Sequence, residues 1–198
     1  MKGFIILGLS VSSVLSAQTD STQIKEIQEV SFTRRLPVSK EIINVQKDLG
    51  SKNLGQDLPI LLKNQMSVVA TSDAGNGVGY TGFRIRGSAG TSINVMLNGV
   101  PYNDSESQGT FFVNIPDMAS SASQIVIQRG VGTSSNGTAS FGASVNILTK
   151  NPDEKPYVLG QFSAGSFNTL KTSFEAGSGK FLNNLLSVSA RYSTINSD

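Results

Sequence analysis

"IVIQRGVGTSSNGTASFGASVNILTK", residues 125–150, decides the fold. Two apolar, strand-like runs, residues 125–129 and 144–148, flank a stretch of Gly, Ser, Thr and Asn too small to build a core. The second run stops just ahead of Asn151-Pro152, where the texture of the chain changes. Working back from this stretch, three more short strands are expected at residues 67–71, 83–86 and 93–97. The last of these meets Asn98-Gly99, a strong turn signal. Residues 54–64 place Leu54, Leu58, Leu61 and Leu62 on one helical face, and Asp57 stands where an N-cap belongs, ahead of Pro59. A second short helix is expected to start at Pro116, with Asp117 in its first turn facing the helix dipole. Residues 54–150 thus read as a small α+β domain with a mixed sheet.

After Pro152 the pattern becomes alternation broken by turns. Thr169, Lys171, Ser173 and Glu175 share one face, and Leu170, Thr172, Phe174 and Ala176 the other. Leu185, Ser187, Ser189 and Arg191 oppose Leu186, Val188, Ala190 and Tyr192 in the same way. Three such segments, joined by "GSFN" and "GSGKFLNN", match an antiparallel meander. Polar-in, apolar-out alternation at this spacing is the signature of a transmembrane β-barrel, and a soluble sandwich gives similar segments. The N-terminus tips the choice toward the barrel. Lys2, an apolar run over residues 4–15 and Ser16-Ala17 form a secretory signal pattern, shorter than the roughly 20 residues of a spanning helix.

Composition narrows the function. The chain of 198 residues is 38% hydrophobic and 15% charged, with net charge +2, no Cys and no His. About 25% charge is usual for a soluble domain. So small a net charge gives no footprint for nucleic acid. Without His there is no Ser-His-Asp set, and without Cys no thiolate chemistry. "GVGYTG" at residues 77–82 matches G-x-G-x-x-G but runs into a strand pattern, not into the helix a dinucleotide site needs. Asp104 and Glu106 read as solvated loop acids. The reading is non-enzymatic, with no metal site and no cofactor.

Several separated motifs occur in one order: "GFRIRGS" (residues 82–88), "VMLNGVPYND" (95–104), the opening stretch and the meander after it. Together they resemble the plug domain and first barrel strands of TonB-dependent outer-membrane receptors, in wording similar to Bacteroidetes-type members. The family usually has Asp at Asn98, Glu at Val126 and Tyr at Asn136. The resemblance implies residues 1–17 as signal peptide, 18–35 as a flexible tail, 36–152 as plug and 153–198 as the first strands of a barrel left incomplete. Three strands cannot close a barrel, so the chain is expected to be an N-terminal fragment.

It further implies uptake of a scarce nutrient across the cell outer membrane, a ferric siderophore first, with haem, cobalamin or a glycan as alternatives. TonB is expected to grip Ile27, Gln28, Glu29, Val30, Ser31 and Phe32 by strand addition. Arg86 and Arg129 are expected to pair with barrel glutamates downstream of residue 198. Apex loops over residues 73–80, 88–91 and 101–110 would offer Tyr80, Tyr102, Asn103, Asp104 and Gln108 to the ligand. Outer-membrane lipid is the remaining partner. The competing expectation is an exported β-rich surface binding or adhesion protein.

Overall fold

The two runs that flank the glycine-serine stretch pair with each other, and the rest of the sheet is built around them. The computed structural model describes residues 39–131, 140–182 and 185–198, all within the unit Arg35–Asp198. In chain order the described elements are β1 (Ser39–Asn44), a π-helical turn (Val45–Leu49), α1 (Leu58–Leu61), β2 (Val68–Ser72), β3 (Thr81–Ile85), β4 (Ile93–Leu97) and β5 (Val100–Pro101). Then follow α2 (Met118–Ser121), β6 (Ala122–Arg129), β7 (Ala143–Thr149), β8 (Tyr157–Ala164), β9 (Leu170–Phe181) and β10 (Leu186–Asn196).

β6 and β7 lie at the centre of a five-stranded sheet of order β1-β6-β7-β4-β5. β7 runs antiparallel to β6 and parallel to β4, so the sheet is mixed as expected. The register brings Ile43, Ile125 and Ile147 side by side, and Ile127, Val145 and Val95 one rung along. All six are buried. Each such side chain contributes about 1.5–3 kcal/mol on burial. Leu58, Leu61 and Leu62 cover this face, and Phe83 on β3 meets Phe112 with ring centroids 5.4 Å apart.

α1 is a single turn, shorter than the periodicity of residues 54–64 suggests. Gly55 at φ +113° precedes it, and the chain turns again through Gln65 and Ser67 at φ 58°. Asp57 takes the N-cap position, but its carboxylate makes no capping bond. Its Oδ2 instead accepts from the Gly79 N–H at 3.0 Å and from Thr81 Oγ1 at 2.9 Å. Asp57 thereby staples the loop between β2 and β3 to α1.

The three strands after residue 156 form a separate antiparallel sheet of order β10-β9-β8. "GSGK" at residues 177–180, expected as a turn, lies within β9, which continues to Phe181; it carries a bulge there, with Ser178 and Gly179, the latter at φ 68°, standing against Val188 alone. Gly177 pairs with Tyr157, and the tyrosine ring occupies the space a Cβ at Gly177 would need, with Cδ1 only 2.9 Å away.

Two predictions follow from this packing. A Cβ at Gly142 would overlap Ser88 Cβ and stand 3.2 Å from the Ser92 carbonyl. Gly142→Ala is therefore expected to destabilise the chain by about 1–3 kcal/mol, read by thermal unfolding. Burial raises the Asp57 pKa from 3.8, and the bonds from Thr81 and Gly79 offset this only in part. A raised native pKa means that the native state binds more protons, so stability declines as pH rises from 3.8 through the native value. Asp57→Asn should abolish that slope, and an unchanged slope would place it on another group.

Candidate functional site

The alternation of β9 and β10 gives their sheet two chemically different faces. Register pairs Ser173 with Ser193, Lys171 with Ile195 and Glu175 with Arg191 on one face. Thr169, Lys171 and Ser173 are buried against the mixed-sheet domain. The opposite face carries Val158, Phe162, Phe174 and Tyr192, which stay exposed at 80%, 73%, 51% and 68%. This is the polar-in, apolar-out arrangement expected from the sequence.

At the centre of the contact stands Asp117. Sequence reasoning places it in the first turn of α2. It instead precedes the helix in the left-handed region, at φ 51° and ψ 30°, and makes no capping bond. Its side chain is 3% exposed. Oδ1 accepts from Lys171 Nζ at 2.5 Å and from Ser120 Oγ at 2.6 Å. Oδ2 accepts from Ser193 Oγ at 2.7 Å and from Arg191 Nη1. Arg191 Nη2 donates to Ser121 Oγ at 2.6 Å. Lys171 Nζ also reaches Ser120 Oγ at 2.8 Å and Asn53 Oδ1 at 3.3 Å. Burial pushes the Asp117 carboxyl up, but hydrogen bonds from Lys171, Ser120 and Ser193 and the Lys171 charge outweigh it, leaving the pKa below 3.8. Nothing local marks this site in the sequence. The one visible signal is the polar face that holds Lys171 and Arg191, two cations pointing the same way with no acid assigned to them.

The residues singled out from the sequence fall into three groups. Ile27, Gln28, Glu29, Val30, Ser31 and Phe32 lie outside the described residues, as do residues 132–139 of the glycine-serine stretch. Arg86 and Arg129 share a corner of the mixed-sheet domain: Arg86 Nη1 lies 3.5 Å from where a Cβ on Gly130 would stand. Arg86 is exposed, whereas the Arg129 side chain is 3% exposed. Sequence reasoning assigns Arg129 to a barrel carboxylate; its partner among the described residues is Glu41 on β1, in its own sheet, and its Nε donates to the Met66 carbonyl at 3.0 Å.

The third group is the loop set. Tyr102, Asn103, Asp104 and Gln108 lie together after β5, and Tyr80 lies apart in the β2–β3 loop, 66% exposed. Asn103 is spent on its own loop. Its Oδ1 accepts from Val95 N–H at 2.7 Å, and its Nδ2 donates to Ile93 O at 3.0 Å and Gln108 O at 2.7 Å. Asp104 Oδ2 accepts from the Ser107 N–H at 2.7 Å and Ser107 Oγ at 2.8 Å. These bonds hold its carboxyl below the usual range. β5 carries the chain back along β4, so this loop lies at the end of β4 remote from Asn98, whose side chain meets Thr149 at the end of β7. Asn103→Ala removes three hydrogen bonds and is expected to cost about 1–3 kcal/mol and to expose residues 104–110 to proteolysis. Unchanged stability and cleavage would show the loop to be held by other contacts.

Residues 33–144 match the model of the TonB-dependent receptor plug domain. No curated protein matches the chain. Among solved structures it is similar to the pyoverdine outer membrane receptor FpvA of Pseudomonas aeruginosa bound to pyoverdine, at TM-score 0.60 and 14% identity over 82% of this chain and 22% of that one. The ferric yersiniabactin uptake receptor FyuA of Yersinia pestis gives TM-score 0.57 and 16% identity over 79% and 24%. The alcaligin outer membrane receptor FauA of Bordetella pertussis gives 0.59 and 18% over 81% and 27%. At these identities the likeness is one of fold, and the chain spans about a fifth to a quarter of the length of the structures it matches. The family model spans more than half of the chain and takes in the whole mixed sheet apart from most of its last strand, and the chain belongs to the TonB-dependent receptor plug domain family.

Proposed function

We propose that this chain forms the plug and opening wall strands of a receptor that takes up a scarce nutrient across the outer membrane, a ferric siderophore before haem, cobalamin or a glycan. The observation that carries the reading is the two-faced β8–β10 sheet. Its polar face packs on the plug at the start of β9, where Thr169, Lys171 and Ser173 are buried, and its aromatic and branched face is left bare, as a lipid-facing wall demands. Similar folds described as a ferric yersiniabactin uptake receptor and as a siderophore receptor support the choice of ligand class. Residues 1–17 serve as the export signal.

In this reading the loops over residues 73–80, 88–91 and 101–110 face outward. Asn76 Nδ2 bonds the Asp198 carbonyl at 3.1 Å, at the end of the meander where β8 turns into β9. The chain enters β8 from the opposite end. Tyr80, Tyr102 and Gln108 then contact the ligand, and Asn103 and Asp104 shape the loop that presents them. Arg86 and Arg129 remain proposed contacts to wall carboxylates beyond residue 198. For Arg129 such a contact would be shared with Glu41.

TonB engages residues 27–32 by strand addition, which relies on backbone N–H groups. Val30→Pro deletes one of them. Cells relying on this protein are to be offered a panel of radio-iron hydroxamate, catecholate and mixed-ligand chelates, with haem, cobalamin and glycans alongside. One iron chelate is expected to bind and enter. With Val30→Pro its binding should stand unchanged while uptake falls at least about tenfold. Full uptake by the variant would remove residues 27–32 from the mechanism, and binding of none of the iron chelates would overturn the siderophore assignment.

A further inference from the structure

We propose that Asp117 is the anchor by which the plug is fixed to the wall: one buried plug carboxylate neutralises two inward-pointing wall cations, Lys171 and Arg191. The inference rests on family membership and on this contact, and on no particular ligand.

The backbone supplies the first argument. A non-glycine residue at φ 51° is strained, though Asp tolerates it better than most. Asp117 does not recover this by capping α2, since its side chain makes no capping bond. What the conformation does achieve is to aim the carboxylate away from α2 and at β9 and β10. Three of the four donors on its two oxygens, Lys171, Arg191 and Ser193, come from those strands.

Charge supplies the second. The Lys171 side chain is 1% exposed, and among the described residues its ammonium has three partners: Asp117, Ser120 and Asn53. Three donors are all that an ammonium has. Every partner lies on the plug. Arg191 lies on the neighbouring strand, beyond the Ser173–Ser193 pair, and reaches the other oxygen of the same carboxylate. Glu175 is the next acid along that face. It is already bonded by Tyr157 Oη at 2.7 Å and Lys150 Nζ at 3.2 Å. Without Asp117 the described residues leave Lys171 and Arg191 in the contact with no carboxylate other than the already bonded Glu175 beside them. Breaking a buried pair on one side is far more disruptive than replacing both partners.

The polarity is the reverse of the one sequence reasoning assigns to Arg86 and Arg129: here the acid comes from the plug and the cations from the wall. The anchor also has a definite place. It holds α2 and the start of β6, whereas β1, the first described strand after the N-terminal tail, has no partner in the cluster.

The test uses the protein expressed from its own gene and extracted from the outer membrane. Asp117→Asn, Lys171→Met and the double variant are compared by hydrogen–deuterium exchange over residues 118–125. Asp117→Asn is expected to raise exchange there at least tenfold. The double variant should recover most of the protection, because it removes one of the two stranded charges. Lys171→Arg, which keeps the charge, should stay within twofold of the wild type. Wild-type protection in Asp117→Asn, or additive losses in the double variant, would overturn the anchor. If Asp117→Asn fails to reach the membrane, the double variant decides the matter: its return to wild-type levels supports the anchor, and its absence overturns it. None of these readouts involves uptake, so failure of the siderophore assignment leaves them intact.

Discussion

A carboxylate cannot leave water with its charge unless the donors around it replace what water gave. Asp117 meets that condition through an ammonium, a guanidinium and two hydroxyls, and no single element of the fold supplies them all. The plug contributes Ser120, β9 contributes Lys171, and β10 contributes Arg191 and Ser193. The requirement therefore fixes how two sheets with separate hydrogen-bonding ladders sit together. Apolar burial alone would leave that choice loose, because the wall's inner face offers little hydrocarbon and much hydroxyl.

The same contrast runs through the whole unit. Inside the plug, isoleucine and valine fill one face of the five-stranded sheet. Between plug and wall, serine, lysine and arginine of the wall meet Asp117, Ser120 and Asn53 of the plug, with Ile195 beside Gly55 as an apolar addition. Outside the wall, phenylalanine, valine and tyrosine stand bare. Three solvents are thus written into one chain: a dry protein core, a hydrogen-bonding seam, and a surface suited to hydrocarbon. The seam is the kind of contact that can part without exposing oil to water.

Much of this was legible locally. Ile93–Leu97 is the strand the sequence predicts, and the alternating faces of β9 and β10 emerge as read, because a strand's two-residue period depends only on the strand itself. What escaped local reading depended on distant partners. Asp57 and Asp117 both look like helix-starting acids, and both spend their carboxylates elsewhere, on Thr81 and on Lys171. "GSGK" looks like a turn, yet it forms a bulge inside β9, where Gly177 pairs with Tyr157 on β8, twenty residues upstream. β1 was not anticipated, since "SKEIIN" is a weak strand whose pairing comes entirely from β6. Arg129 was foreseen as a buried cation in need of an acid, but not that Glu41 of its own sheet would provide one.

Strand order carries a consequence for biogenesis. β1 and β4 never touch; the β6–β7 pair fills the gap between them. The edges of the sheet are thus synthesised first and its middle last, and the earlier strands wait for a hairpin to slot in. Loop closure of this kind is slow compared with local pairing. The strand that completes the sheet, Ala143–Thr149, is followed within eight residues by the first strand of the wall. The plug's sheet is therefore complete just as the wall begins, and the two edges that wait for the hairpin have their partners before the wall strands emerge.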